Sequence, residues 1–198
     1  DPAAKVASTV MRFGVEEFLP ERMKLDLASQ ADKLDPQSGW QVDIAGSYLY
    51  GAVAAKNRLL GVANIERYKN PLEKKLAGFV FGDADEDNVK LRIEIAETEL
   101  DDEGKASVAI DLAPVQKRRS PFTVRATLSL LESGGRPVVR SIERTYWPAP
   151  VLVGMRPLFV GAYAREGSNA EFEIIRADAA ANLMAGTALP VRLFRENR

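Results

Sequence analysis

The residues whose spacing best suits chemistry form an acidic segment in the middle of the chain. Asp83, Asp85 and Asp87 place carboxylates at alternate positions, as the calcium loop of an EF-hand does at its start, and a further acid stands at the twelfth place. Asn88 replaces the glycine that such a loop needs at its sixth place, and the residues that follow alternate like a strand rather than a helix. We therefore interpret the segment as a solvated acidic loop and predict no metal site, with a calcium loop as the weaker alternative.

Pairs of charged residues just after this segment could in principle form a carboxylate dyad, the arrangement that glycosidases and aspartic proteases use. Glu94 stands two residues from Arg92, and Glu97 stands two residues from Glu99, so each pair shares one side of a strand. Such a row is typical of a charged outward face, which also discourages pairing between sheet edges. We interpret the row as surface, because a carboxylate-based hydrolase would need two acids that converge in a pocket.

Two residue types are missing from the chain. The 198 residues contain no cysteine and no histidine, so there is no thiol nucleophile, no disulfide and no cysteine or histidine ligand for a metal. The chain is therefore predicted not to be an enzyme and to hold no cofactor. Its formal net charge is -1, and the short basic run at 117–119 has no aromatic neighbours, so no nucleic-acid partner is expected.

The elements that carry these residues are strands, because side chains alternate between apolar and polar along most of the chain. In 40–50 the large apolar residues fall on even numbers, and the pattern predicts that Tyr48 and Tyr50 look inward. The segments 89–95 and 122–130 alternate in the same way. Shorter alternating runs are 23–27, 106–112, 138–147, 172–176 and 191–195.

Turn signals separate these strands. The segments 101–104 and 133–137 each join two alternating runs, as hairpin loops with glycine at positive φ do. No amphipathic helix of normal length is predicted. Many short strands joined by such loops predict an all-β fold of immunoglobulin-like antiparallel β-sandwich modules in tandem.

Proline marks the boundaries between the modules. One interruption lies at Pro20 and a second at 148–150. The segment 19–148 holds six or seven predicted strands, which suits one complete sandwich with a long insertion. Residues 1–18 are predicted to be the last strand of a preceding module, and residues 149–198 to be a partial or following module.

Large apolar residues flank the second proline-containing crossing. Tyr146, Trp147, Met155 and Phe159 lie on either side of it, and large rings at such positions pack modules together more often than they bind ligands. We predict these four as inter-module packing residues and assign no catalytic, cofactor-binding or metal-binding residue.

Several short motifs, taken in order, resemble the macroglobulin modules of bacterial alpha-2-macroglobulins from about Val15 to the C terminus. The most specific of them is Tyr48-Leu49-Tyr50-Gly51-Ala52, which is similar to a strand end of that family. The others are 15–24, 78–82, 100–106, 131–140, 154–159 and 166–172. The common order of all seven motifs carries the resemblance.

The resemblance implies a part of a large periplasmic protein, a lipoprotein held at the inner membrane, that traps proteases after they cut an exposed bait segment. Many members of the family bind the protease through a cysteine-glutamine thioester, which this chain, without cysteine, does not contain. The implied role of the chain is that of a scaffold. The implied partners are neighbouring macroglobulin modules, the target proteases of the longer protein, and a cell-wall synthase.

One alternative function stays open at this point. A binding module of a secreted adhesin, or a carbohydrate-binding sandwich, would share the alternation and the turns. Such a module needs a ring of exposed aromatic side chains, to which the tyrosines at 48, 50, 68 and 163 could contribute. Two of these fall on the face that is predicted to look inward.

Overall fold

The computed structural model describes residues 20–132, 136–161, 164–186 and 189–192. The strands in these residues are β1 (Met23–Ala28), β2 (Lys33–Leu34), β3 (Trp40–Tyr48), β4 (Arg58–Arg67), β5 (Val80–Phe81), β6 (Lys90–Glu99), β7 (Lys105–Ile110), β8 (Phe122–Leu130), β9 (Val138–Tyr146), β10 (Leu152–Pro157) and β11 (Phe172–Ala177). Short 3₁₀ turns cover Ala84–Glu86 and Ala113–Val115. Among the described residues there is no helix with the length and apolar character to cross a membrane. The strand predicted in 1–18 lies outside the described residues.

Two sheets form a sandwich. One has the strand order β1-β3-β7, and the other has the order β2-β9-β8-β4-β6. Neighbouring strands in both sheets run antiparallel, except that β2 pairs parallel with β9. The predicted fold class, an all-β immunoglobulin-like antiparallel sandwich, is confirmed.

The alternation of the sequence appears as burial in the structure. Along β3, Trp40, Val42 and Ile44 are buried while the residues between them are exposed. Along β8, every second side chain from Phe122 to Leu130 is buried. These strands belong to opposite sheets, so their inward side chains close one core. Each large apolar side chain that is fully buried contributes about 1.5–3 kcal/mol.

The alternation of β3 ends earlier than the sequence predicts. The strand stops at Tyr48, and the chain turns at Gly51, whose amide donates to the Tyr48 carbonyl oxygen (2.9 Å). Tyr48 packs against the core, but Tyr50 is 78% exposed. The inward orientation predicted for Tyr50 is therefore wrong, because the chain turns before it reaches the next inward position.

An interior strand of the larger sheet, β4, is missing from the sequence prediction. It pairs with β8 on one side and with β6 on the other. Its buried positions include the small residue Ala63, whereas the large apolar residue Leu60 is exposed. Its pairing with β6 also shifts register between Leu59 and Gly61. Side chains along β4 alternate between the two faces of the sheet, but large apolar residues are not confined to the inward face. The sequence of β4 therefore lacks the alternation that marks the other strands.

The segment 101–104 forms a tight turn, but the prediction that it is a hairpin is wrong, because β6 and β7 on either side of it pair in different sheets. The Asp101 amide donates to the Lys105 carbonyl oxygen (2.8 Å), and the Gly104 amide donates back to that of Asp101 (3.0 Å). Gly104 has φ of +74°, a conformation that glycine adopts without a steric penalty. The centre of the other predicted hairpin, 133–135, lies outside the described residues.

A third sheet, with the order β11-β10-β5, follows the sandwich. β11 confirms the strand predicted at 172–176. The strand predicted at 191–195 is not formed at 191–192, and its remainder lies outside the described residues. β5 comes from the insertion within the sandwich sequence, between β4 and β6, yet it pairs with β10. The insertion thus carries a strand into the next unit.

Candidate inter-module interface

The chain leaves the sandwich at Trp147, directly after β9. The Trp147 amide donates to the Leu34 carbonyl oxygen (2.7 Å), which extends the contact between β2 and the end of β9. Bends that contain Pro148 and Pro150 then carry the chain into β10. Because proline has no amide to continue a sheet ladder, the sheet of the sandwich ends here and a second unit begins.

A strand of the first unit crosses this boundary. β5 pairs antiparallel with β10, so that Phe81 lies opposite Gly154 and Val80 lies opposite Met155. Gly154 leaves room for the neighbouring ring, since a Cβ added there would lie 2.6 Å from Cε1 of Phe81. The two units are therefore joined twice, by the covalent crossing and by the backbone hydrogen bonds of one shared sheet.

A small hydrophobic core lies where the two units meet. Its buried members are Phe79, Phe81, Trp147, Leu152 and Ala177. The rings of Phe81 and Trp147 pack together with their centroids 6.0 Å apart. Arg156 closes one edge, with its guanidinium carbon 4.5 Å from the centroid of the Phe79 ring. The core takes residues from the insertion, the crossing, β10 and β11, so its burial holds all four segments together.

Arg67, at the end of β4, anchors the crossing strand to the sandwich. Its side chain is 3% exposed and donates to the carbonyl oxygens of Phe81, in β5, and of Pro121, before β8. Its Nε lies 3.7 Å from Oδ1 of Asp87. Burial lowers the pKa of the guanidinium below its ordinary value, and the Asp87 carboxylate acts in the opposite direction. A planar guanidinium that bonds two segments at once holds them in a geometry that lysine cannot reproduce.

The acidic segment packs beside this anchor. Asp87 also accepts a hydrogen bond from Nζ of Lys69 (2.6 Å), and Glu86, which is 8% exposed, accepts from the amide of Arg119 (3.2 Å). The residues after the segment form the strand β6, as predicted. These carboxylates are thus bound by the protein's own cations and amides. In the described residues, no group of three or more acidic side chains is suited to hold a metal ion.

The acidic pairs predicted to lie on the surface stand on β6, at the edge of the larger sheet. Glu94 accepts a hydrogen bond from Nε of Arg92 (2.9 Å). Glu97 pairs with Arg58 of β4, and this hydrogen bond lowers the pKa of the Glu97 carboxyl below its usual value. The side chains of these two acids and their two arginine partners are largely exposed. The carboxylates face arginines on an open surface, as an outward charged face does.

The four residues predicted to pack between modules take different positions. Trp147 belongs to the small core where the units meet, whereas Tyr146 is fully buried in the sandwich core. Phe159 is half-buried and meets the Phe172 ring edge-on, with centroids 5.5 Å apart. Met155 is 49% exposed. The structure places Trp147 in the contact between the described units, and the inter-module role of the set as a whole stays a prediction.

The three-stranded sheet is apolar on both of its faces. One face, with Leu152 and Ile175, packs onto the small core. On the other face Val80, Met155 and Ile174 lie side by side across the three strands, and all three are exposed. An exposed apolar row of this kind is a candidate interaction surface.

Sequence reasoning missed Arg67, Phe79 and Phe81 as interface residues. The alternation of Phe79 and Phe81 around Val80 is visible in the sequence as part of a short motif. Nothing local shows that this motif pairs with a strand that begins at Leu152. The motif was therefore visible in the sequence, but the strand with which it pairs was not.

A two-sheet sandwich that supplies a strand to the sheet after it has the organisation of a segment of a multi-module β-sandwich protein. Residues 21–148 match the family model of the bacterial alpha-2-macroglobulin MG5 domain. The chain belongs to the bacterial alpha-2-macroglobulin family, and the resemblance seen in its motifs is confirmed.

Two curated relatives agree with this assignment. The chain is 37% identical to the alpha-2-macroglobulin of Escherichia coli (strain K12) over an alignment that covers 94% of the chain. It is 38% identical to the alpha-2-macroglobulin of Xylella fastidiosa (strain Temecula1) over an alignment that covers 100% of the chain. The chain spans 12% of the length of each relative.

Solved structures of the family show the same fold. The native conformation of E. coli alpha-2-macroglobulin matches with a TM-score of 0.71 and 36% identity, over 85% of this chain and 11% of that one. The E. coli protein activated by porcine elastase matches with a TM-score of 0.73 and 38% identity, over 83% of this chain and 15% of that one.

Proposed function

We propose that this chain is a non-catalytic scaffold segment of a periplasmic alpha-2-macroglobulin, a longer protein (the parent) that traps proteases after they cut its bait. The observation that carries the proposal is the shared sheet, in which β5 of the sandwich pairs with β10 of the following unit. A strand held across a boundary, with a buried core and the Arg67 anchor beside it, fixes the orientation of the two units. The segment therefore acts as a rigid joint within a frame of modules, and the domains of such a frame otherwise tend to move.

The solved structures of relatives are compatible with a rigid joint. The TM-score is 0.71 against the native conformation and 0.73 against the elastase-activated protein. The covered fractions of this chain are also similar, at 85% and 83%. Similar scores are expected of a segment that keeps its internal geometry through activation. The rearrangement that follows bait cleavage then takes place at other module boundaries.

The segment supplies position rather than chemistry. It has neither cysteine nor histidine, and the carboxylates of its acidic segment are bound by its own cations and amides. Its direct partners are the neighbouring macroglobulin modules, and proteases are partners of the parent. No feature of the described ranges favours a cell-wall synthase as a partner, and membership of the family disfavours the adhesin or carbohydrate-binding alternative.

The open face of the three-stranded sheet supports a second element of the proposal, that residues 149–198 begin the following module. The exposed row Val80, Met155 and Ile174 would form the inner face of one sheet of that module. Two sheets of a sandwich pack through such apolar faces at about 10 Å. Because the chain spans 12% of each relative, the parent has ample further sequence to supply the second sheet.

The rigid joint can be tested in the parent with spin labels at Glu94, on β6, and at Glu171, just before β11. We expect the distribution of distances between the labels to stay the same when a protease cuts the bait, because sheet, core and anchor hold together. A shift of the distribution on cleavage would overturn the rigid joint. The trapping role requires that the protease then co-elutes with the parent, and a protease that elutes free would overturn it.

Arg67 offers a matched pair of variants for this experiment. Arg67→Met removes the hydrogen bonds to β5, so we expect a broader distance distribution even before cleavage. Arg67→Lys keeps the charge but loses the planar fork, and we expect an intermediate width. If both variants give the wild-type distribution, Arg67 is not the anchor.

A further inference from the structure

The turn after β3 exposes an unusual amount of apolar surface. Leu49 is 67% exposed, Tyr50 78% and Val53 50%. The Tyr50 ring stacks on that of Tyr48, with centroids 5.1 Å apart and an angle of 23° between the planes. Leu49 and Tyr50 belong to the motif that gave the most specific resemblance, and neither they nor Val53 take part in the small core or the shared sheet. We name Leu49, Tyr50 and Val53 the entry patch.

The turn is held rigidly with its apolar side chains outward. The Tyr48 amide donates to the Ala52 carbonyl oxygen (2.7 Å), and the Ala54 amide donates to that of Gly46 (3.1 Å). Ser47 and Val53 form an isolated β-bridge. A turn closed by this many backbone bonds cannot fold its side chains back onto the core, so the exposure belongs to the fold itself.

The chain enters the sandwich beside this patch. Met23 is paired with Tyr48 in the sheet, and one residue earlier the Arg22 carbonyl oxygen accepts the amide of Leu49 (2.9 Å). Glu21 is fixed in the same region by Arg140 of β9 (2.8 Å). The backbone at 20–22 therefore runs alongside the turn, and whatever precedes residue 20 in the parent starts next to the entry patch.

We propose that the entry patch is the docking surface for the module that precedes residue 20 in the parent. The proposal rests on the proposed function, which makes this chain one segment of a tandem array. Three observations favour this occupant over others: the patch is apolar, it is held rigid, and the polypeptide that leads to the preceding module passes beside it. A large ring in such a contact, with its second face already covered by Tyr48, is suited to anchor the interface.

The experiment measures the reactivity of a thiol placed in the patch. Tyr50→Cys is introduced into the 198-residue chain, which has no cysteine of its own, and into the parent. Labelling with a maleimide is followed at residue 50 by peptide mass spectrometry. We expect the thiol in the parent to react at least about tenfold more slowly, as a docked state favoured tenfold over the open one requires. Equal rates in the two proteins would overturn the proposal.

Ala109→Cys is the matched control, because Ala109 is also an exposed apolar residue of the sandwich but lies on β7, opposite Gln41, at the end of β3 that is remote from the patch. We expect its thiol to react at the same rate in both proteins. Slowing of both thiols to the same extent would contradict docking at the patch. The thermal midpoint of each variant checks folding, and Leu49→Cys replaces Tyr50→Cys if the latter does not fold.

The result is independent of the test of the rigid joint. If the spin-label distances change on bait cleavage but the Tyr50→Cys thiol is protected, the rigid joint fails and the docking surface stands. If the distances stay the same and the thiol reacts freely, the rigid joint stands and the docking surface fails.

Discussion

The sandwich and the three-stranded sheet bury their apolar side chains in different ways. The sandwich has two sheets whose apolar faces enclose one core that includes Trp40, Phe122 and Tyr146. The three-stranded sheet has an apolar row on each face, but only one face is covered in the described residues, by a much smaller core. We expect the first unit, which has the larger core, to fold without the second. The second depends on contacts that the first supplies, since a few strands with one thinly covered face are marginal by themselves.

The difference shows where the stability of the joint originates. β5, Phe79 and Phe81 come from the insertion within the sandwich, and Arg67 holds β5 in place from the end of β4. The three-stranded sheet should therefore unfold whenever the sandwich does. The sandwich should survive when the sheet is lost.

The largest effect is expected from Phe122→Ala in the sandwich core. Phe122 is fully buried against Tyr146, so the change should lower the free energy of unfolding by about 3–5 kcal/mol. Amides of both units should lose hydrogen-exchange protection together under denaturant. Protection of β10 that outlasts protection of β8 would break the proposed dependence. Phe172→Ala, at a half-exposed ring, is the control and should cost far less.

How much of the sandwich could be predicted depends on how strictly each strand alternates. β3 and β8 alternate large apolar with polar residues because one face of each meets the core and the other meets water, so both were predictable. β4 was not predictable, because Gly61 and Ala63 occupy its inward side while Leu60 lies outside. An interior strand can have small side chains on its inward face where its neighbours pack closely, and the alternating pattern is then lost from the sequence.

Trp147→Ala tests the dependence from the other side. The indole is 5% exposed in the small core, so its loss should destabilise the three-stranded sheet by about 3 kcal/mol. Amides of β10 and β11 should exchange faster while those of β8 keep their protection. Trp147→Phe retains a ring against Phe81 and should give a smaller change of the same kind. Equal loss of protection in β8 would show that the two units unfold as one.

The joint itself could be predicted only in part. Trp147 stood out in the sequence because an aromatic residue beside prolines is a common packing element between modules. Phe81 and Arg67 did not, because their partners are brought close only by tertiary structure. From the sequence alone, Arg67 is an ordinary charged residue at the end of a strand. It is buried in the structure because the insertion folds over it.

Tyr146→Phe tests whether a buried phenol in the sandwich core makes the free energy of unfolding depend on pH. Burial raises the pKa of the Tyr146 phenol to about 12, and its hydroxyl has no hydrogen-bond partner among the residues that the structure describes. In the unfolded chain the phenol ionises near pH 10, so between pH 10 and 12 the unfolded state loses a proton that the folded state keeps. Tyr146 should thus add nothing to the pH dependence below pH 10 and reduce stability by about 2 kcal/mol as the pH rises to 12.

The measurement compares denaturant unfolding of wild type and Tyr146→Phe at pH 7 and at pH 11.5. At pH 7 the two should be nearly equally stable, because the removed hydroxyl was unpaired. At pH 11.5 the variant should be the more stable protein. The same difference in stability at both values would mean that the phenol does not titrate with folding.

The smallest effect on stability is expected from substitutions at two neighbouring isoleucines of β11. These substitutions compare the two faces of the three-stranded sheet directly. Ile174 lies on the open face of the three-stranded sheet, whereas Ile175 packs against the small core on the covered face. In this chain Ile174→Ser should change the free energy of unfolding by less than about 0.5 kcal/mol, while Ile175→Ser should cost more than about 1 kcal/mol. In the parent, where the remaining strands of the following module are proposed to cover the open face, the cost of Ile174→Ser should rise to match that of Ile175→Ser. If Ile174→Ser stays neutral in the parent, the open face is not the inside of a sandwich and the extent of the following module has to be revised.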